Sequence, residues 1–239
     1  MRIVDKIFSL IYPNRCPCCN KLSETNEPCE KCAVMLTDCE IIGKVCRHCG
    51  LPKANCQCNK YHYLFDGVTA PFINGGIAQE GFYSFKFSYS PQSAEFFSHH
   101  MAESFKSRFC DINPDILCVV PSLRSDELSK NYEPNKLLAK RLSRELSIPL
   151  NVKLIKKVRK TEKQHKLSHD KRLLNVKGAY KVTKRLDGKT VLLLDDIKTT
   201  GYTLNECAKQ LRMAGAERVY CVTALITVKS SCKLPKNEI

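Results

Sequence analysis

The sequence predicts an α/β protein, a doubly wound and mainly parallel sheet flanked by helices, preceded by a small cysteine-rich module. Three observations predict it. Residues 116–120, 191–194 and 219–225 are short, almost wholly apolar runs with the length of strands buried on both faces. Segments with helical spacing alternate with them, an order that calls for right-handed crossovers. Ten of the fifteen cysteines (16, 18, 19, 29, 32, 39, 46, 49, 56 and 58) fall in the first quarter of the chain.

In chain order, residues 1–12 place Ile3, Val4, Ile7, Phe8 and Ile11 on one helical face. Asp5 and Lys6 interrupt the apolar run and no small-residue cleavage site follows, so a docked helix is expected and not a signal peptide. No run approaches the roughly 20 apolar residues that a bilayer-crossing helix needs. Residues 15–58 show little periodicity and are expected to be held by metal more than by a core. With the first helix they make up a module over 1–65. Residues 66–229 form the main domain, within which 66–110 is an early subdomain or hood. Its aromatics read as strand material followed by a helix over 92–109.

Residues 134–146 have helical spacing at Leu137, Leu138 and Leu142, and Pro149 stops that helix. A further strand is expected over 150–155 and a basic surface loop over 156–172. The next helix covers 203–214, with Gly215 as its C-terminal stop. Residues 230–239 read as a flexible tail.

The cysteines carry their own chemistry. Without an export signal a disulfide scaffold is disfavoured, and clustered thiols in a reducing compartment suit a metal. Cys16-x2-Cys19 and Cys29-x2-Cys32 let four thiolates converge on one tetrahedral zinc, a closed and therefore structural site. Cys46-x2-Cys49 with Cys56-x-Cys58 suggests a second, although one knuckle is a residue short and His48 or His62 can substitute. Disulfides or free thiols are the alternatives. Cys18 can replace a neighbour, and Cys39 reads as a spare or a small buried hydrophobe.

The most informative stretch is residues 191–203. A hydrophobic strand ends in Asp195-Asp196, and Lys198-Thr199-Thr200-Gly201-Tyr202-Thr203 then opens a helix. Backbone N–H groups and hydroxyls of Thr199, Thr200 and Thr203 can surround a phosphate at the positive end of that helix. Gly201 allows close approach of the backbone. Adjacent carboxylates accept hydrogen bonds from a diol and can share Mg2+. Phosphate beside diol indicates a ribose 5-phosphate. Read blandly, the acids are a solvated strand end and Thr203-x-x-Glu206 is a capping box.

Lysine and arginine number 39 against 24 acidic residues, a formal net charge of +15. Residues 124–185 hold 19 of the cations and only 6 acids. Two tetrathiolate zinc sites would lower the total to about +11. Such a local field favours phosphate backbones, single-stranded DNA among them. Tyr61, Tyr63, Phe85 and Phe87 are candidates to stack on unpaired bases, with core packing as the prosaic alternative.

The 191–203 segment resembles the phosphoribosyl pyrophosphate loop of the type I phosphoribosyltransferase fold, except that Lys198 stands where that pattern often has an apolar or aromatic residue. More of the chain resembles the ComF family, linked to DNA uptake in natural transformation. The resemblance rests on Ile11-Tyr12-Pro13-Asn14-Arg15-Cys16, the Cys-x2-Cys pairs, Lys86-Phe87 and Val119-Val120-Pro121. It continues at Gln164, Arg172, Asn175, Gly178, Ala179 and Tyr180. Where the family usually has Arg-Gly-Phe-Asn-Gln, this chain has Lys130-Asn131-Tyr132-Glu133-Pro134.

The resemblance implies that phosphoribosyl pyrophosphate or a related sugar phosphate binds with Mg2+. Asp195 and Asp196 would sit at the ribose as candidate catalytic residues. The loop from Pro121 to Arg124 would approach the pyrophosphate, with Lys86 and Arg172 as further cations and 156–172 as a flap. It further implies a cytoplasmic protein handling incoming single-stranded DNA with competence-machinery partners at the inner face of the membrane. An active transferase and a phosphoribosyl pyrophosphate sensor are the alternatives.

Overall fold

The computed structural model describes residues 13–87, 90, 92–121, 133–159 and 175–228. The amphipathic segment 1–12 and the tail from 230 lie outside the described residues, as do Arg124, Gln164, Arg172 and Lys130 to Tyr132.

Strand β6 (Thr190–Lys198) is central, between β7 (Arg218–Ile226) and β3 (Ile116–Val119). Strands β1 (Gly67–Thr69) and β2 (Phe72–Ile73) both pair with β7, and every pairing in this five-stranded sheet is parallel. Val191 lies opposite Ile116 and Val219, and Leu194 opposite Val119 and Val222. Because side chains alternate, each apolar strand feeds both faces. Leu192 and Leu194 join a core with α2 (Gly76–Phe87), α3 (Ser93–Arg108) and α4 (Pro134–Glu145). Val191 and Leu193 join a second core with α5 (Tyr202–Met213) and the antiparallel hairpin of β4 (Ile155–Lys157) and β5 (Tyr180–Val182). Pro134 at the start of α4 and Gly215 (φ 98°) just beyond α5 act as the start and stop expected of them.

Two expectations need correction. The aromatic stretch read as strand material contains helix α2, whose buried residues are Ile77, Ala78, Gly81, Phe82 and Phe85. That spacing is helical, and burying Phe82 and Phe85 contributes roughly 1.5–3 kcal/mol each, which outweighs the strand preference of aromatics. The strand expected over 150–155 is only an isolated parallel bridge from Leu150 to Leu117, and the strand proper is β4.

The cysteine-rich segment straddles the sheet. Cys16, Cys18, Cys32 and Leu36, the last two on helix α1 (Glu30–Thr37), belong to the α2/α3 core. Cys49, Leu51, Tyr63 and Phe65 belong to the α5 core. The segment therefore lends residues to both cores and is not held by metal alone. Its first knuckle lies directly on α2. A methyl group added at Gly81 would meet the Pro17 carbonyl oxygen at 2.5 Å and Cys18 Cα at 2.7 Å, both backbone atoms. Although alanine favours a helix by about 1 kcal/mol, Gly81→Ala should destabilise the protein by roughly 1–3 kcal/mol. Urea denaturation measures this, and a raised midpoint would mean that the knuckle does not rest on α2.

Candidate functional site

Strand β6 runs beyond the predicted end at Leu194 and includes the acid pair, with Asp195 opposite Thr223 and Lys198 opposite Ile226. Adjacent strand residues face opposite ways. Asp195 is buried on the α5 side, where its charge acts on Cys207 and Tyr180. Burial, and then the neighbouring Asp196 charge, push its carboxyl well above the ordinary carboxylate range. One of its oxygens accepts the Asp196 N–H at 2.9 Å. Asp196 accepts the Ile197 N–H at 2.7 Å and forms an ion pair with Lys86 near the end of α2. Burial alone would lower the Lys86 ammonium, but the Asp196 carboxylate holds it above its usual value.

After the acids the chain turns through Thr199 and Thr200 to Gly201, which at φ 81° is the N-cap of α5. Only glycine takes that conformation without strain. The Thr200 hydroxyl oxygen accepts the Tyr202 N–H at 3.5 Å. The helix starts at Tyr202, so Thr203 lies within its first turn and Gly201, not Thr203, is the N-cap. Glu206 instead accepts the Gly178 N–H and a Gln210 side-chain N–H, both at 3.0 Å.

Between Asp195, Lys198 and the 199–203 turn lies a concavity of about 20 Å3, the space of a single water. A larger cleft of about 590 Å3 lies against His48, Leu64, Arg212 and Met213 and has neither an acid pair nor a phosphate turn.

Lys198 is 1% exposed, with its ammonium turned over the Tyr63 ring. Tyr63 donates its hydroxyl to the Thr200 carbonyl at 3.2 Å. Sequence reasoning missed this brace on the turn. The only signal was the alternation of Tyr61, Tyr63 and Phe65 just after the last cysteine pair. Of the aromatics considered for base stacking, Tyr63 and Phe85 are buried and unavailable, whereas Phe87 is 66% exposed. At the base of the basic loop, Arg159 donates to the carbonyls of Asn175 (2.9 Å) and Lys177 (2.8 Å).

The eight predicted cysteine ligands form two groups, Cys16/Cys19/Cys29/Cys32 and Cys46/Cys49/Cys56/Cys58, each with its Sγ atoms within 4.8 Å of one another. A tetrahedral zinc with bonds of about 2.3 Å has sulfur–sulfur edges of about 3.8 Å. The observed Cys19–Cys29 separation is 4.0 Å, and Cys46–Cys58 and Cys49–Cys56 are both 3.7 Å. Both groups therefore fit a tetrathiolate metal. No histidine is needed in the second, where the Nε2 of His48 is bonded to the Phe65 carbonyl oxygen instead.

Backbone donors converge on the leading thiol of each group. Burial works to raise Cys16, yet N–H groups that include Cys29 N (3.4 Å) bring it down to about 7. Cys46 is brought down to about 7 in the same way by Cys49 and His48 N–H groups, against burial. Cys18 lies outside the first group and is pushed up to about 12 by burial. Cys39, buried, donates towards the carbonyls of Gly75 (3.5 Å) and Met35 (3.7 Å), as a core thiol does.

Comparison with known proteins agrees with this architecture. Residues 137–239 match the phosphoribosyl transferase domain family. Competence protein F of Haemophilus influenzae is 35% identical over 109 residues, 44% of this chain and 48% of that protein. The DNA utilization protein YhgH of Escherichia coli K12 is 31% identical over 111 residues, 46% of this chain and 49% of that protein. The chain thus spans about half the length of the curated relatives it matches. The solved purine phosphoribosyltransferase of Pyrococcus horikoshii is 17% identical, over 60% of this chain and 94% of that one, with a TM-score of 0.35. Strand β6, its acid pair and its glycine-capped turn all lie inside the segment that matches the phosphoribosyl transferase domain family, and over just under half of its length the chain is similar to competence protein F and the DNA utilization protein YhgH.

Proposed function

We propose that this protein binds phosphoribosyl pyrophosphate, or a related sugar phosphate, with Mg2+ at the carboxyl end of β6. The observation that supports it most is the continuity of an acid pair, Asp195 buried and Asp196 partly exposed, with a turn whose left-handed Gly201 opens α5. The N–H groups at the start of α5 and the threonine hydroxyls take the 5-phosphate. Asp196 and Asp195 take the ribose hydroxyls and the cation, a donor set of the kind Mg2+ uses beside phosphates. Lys86, already paired with Asp196, supplies positive charge at the pyrophosphate. If an acceptor is present, the same arrangement favours an oxocarbenium-like transition state and a departing pyrophosphate, which is the transferase alternative. In the sensor alternative, binding alone is used.

Single-stranded DNA is the second ligand in this reading, and handling DNA in competence is the process in which it would act, as the name of the Haemophilus relative suggests. The β4–β5 hairpin and its flanks favour it, because Lys156, Arg159, Lys177, Lys181, Lys184 and Arg185 are all exposed there. No helix among the described residues is long and apolar enough to cross a membrane.

Titration calorimetry of zinc-loaded protein with phosphoribosyl pyrophosphate should show saturable binding that Mg2+ strengthens about tenfold or more. No saturable heat with Mg2+ present would end the sugar-phosphate reading. Acceptor-dependent pyrophosphate release separates transferase from binder. Affinity for single-stranded DNA should fall with added salt, and a log–log slope near zero would remove phosphate tracking.

A further inference from the structure

The second cysteine group and the phosphate turn meet at one side chain. Lys198 is the last residue of β6, immediately before the turn. Its Nζ is buried, has no hydrogen-bond partner among the described residues, and lies 5.2 Å from the Tyr63 ring centroid. Tyr63 is stacked on Phe65 with centroids 4.6 Å apart and is bonded to Thr200. A methyl at Gly201 would come to 3.0 Å from the Tyr63 ring and 3.2 Å from Lys198 Cε. Turn, ring and lysine are packed as one unit.

A cation in such a place needs compensation. Desolvation of an ion costs several kcal/mol, whereas a cation–π contact returns about 0.5–2 kcal/mol. The Tyr63 ring under the ammonium meets the His48 ring edge-on, with centroids 5.7 Å apart, and His48 lies between Cys46 and Cys49. Cys49 shares a core with Tyr63, and Cys46 and Cys58 pack against it. Burial disfavours the ammonium, and Cys49, Cys58 and Cys46 of the second group are among the charges that oppose it. As neutral thiols they do little for a lysine. With Cys56 they make four thiolates, which around Zn2+ carry about −2, the counter-charge that a buried ammonium requires. The first cysteine group packs in the other core, with α2, and no such lysine faces it among the described residues.

We propose that Lys198 is a positioning residue coupling the second cysteine centre to the phosphate turn: its ammonium is the buried counter-ion of the metal-loaded Cys46/Cys49/Cys56/Cys58 group, and loading that group sets the 199–203 turn through Lys198 and Tyr63. The lysine thus has a use at a position where this fold often carries an apolar residue. Only the ligand arm of the test rests on the sugar-phosphate reading.

The test uses the full zinc-loaded chain and follows zinc release to a chromophoric chelator, with Cys56→Ser identifying the phase that belongs to the second centre. Lys198→Met should speed that phase about tenfold or more, leave the other phase unchanged, and weaken phosphoribosyl pyrophosphate binding. Lys198→Arg, which keeps the charge, should restore slow release. Lys198→Gln replaces Lys198→Met if the latter does not fold. Unchanged release in the neutral variants overturns the proposal, and a loss of ligand affinity without any change in release would place the ammonium at the phosphate instead. If release accelerates while even the unaltered protein binds no phosphoribosyl pyrophosphate, the counter-ion assignment stands and the sugar-phosphate reading fails.

Discussion

Zinc-loaded protein stripped by a strong chelator should lose its cooperative thermal transition, or melt more than about 10 °C lower, because the tetrathiolate groups hold residues that both cores depend on. A structural zinc contributes roughly 10–16 kcal/mol to the folding of small metal domains, comparable with the whole 5–15 kcal/mol by which a typical domain is stable. Here the affected residues are not peripheral. Cys16 and Cys32 are 1% and 3% exposed within the α2/α3 core, and Cys49 is fully buried within the α5 core. Releasing the first knuckle would uncover the Gly81 face of α2, and releasing the second would uncover Leu51, Tyr63 and Phe65. Metal analysis should find two zinc ions per chain, falling to one in either Cys19→Ser or Cys56→Ser. An unchanged melting temperature after complete metal removal would mean that apolar packing alone holds the cysteine-rich segment.

The sequence was informative wherever one interaction dominated. The runs at 116–120, 191–194 and 219–225 have no alternative to a buried strand, and the cysteine pairs bring their ligands together through short local spacings. The short Cys56-x-Cys58 knuckle left room for His48 or His62 as a substitute, and the separation of Cys46 from Cys58 shows that the closer spacing reaches the same tetrahedral edge. Helix α2 was missed because Phe82, Tyr83, Phe85 and Phe87 carry strand preference, while the burial of Phe82 and Phe85 that favours the helix comes from α3 and the first knuckle. Local pattern also placed the acids after the strand, although pairing with β7 extends β6 through them. The inward turn of Lys198 was illegible for a different reason: it depends on Tyr63, 135 positions earlier, and no spacing rule reaches that far. Lys86 illustrates the intermediate case, since its residue type suggested a phosphate contact but only the fold reveals Asp196 as its partner.

The two aspartates should respond to substitution with opposite effects on stability and the same effect on binding. Asp195 is a buried carboxyl held well above its ordinary pKa, first by desolvation and then by Asp196. Its native state keeps the proton longer than the unfolded chain does, so stability is present in full below the ordinary carboxylate pKa near 4 and declines as pH rises towards the folded value. Asp195→Asn removes that decline and should stabilise the protein by about 1 kcal/mol near neutral pH, at the expense of ligand binding. Asp196→Asn instead leaves the half-buried Lys86 ammonium without its carboxylate and should destabilise by about 1–3 kcal/mol. Either variant should weaken Mg2+-dependent phosphoribosyl pyrophosphate binding about a hundredfold, or about 2.7 kcal/mol, with zinc content unchanged. Because a cation is taken by the ionised carboxylate, that affinity in the unaltered protein should rise with pH through the same window, with release of a proton that calorimetry in two buffers can count. Opposite stability shifts with unchanged affinity would confirm the two electrostatic environments while removing the acid pair from the binding site.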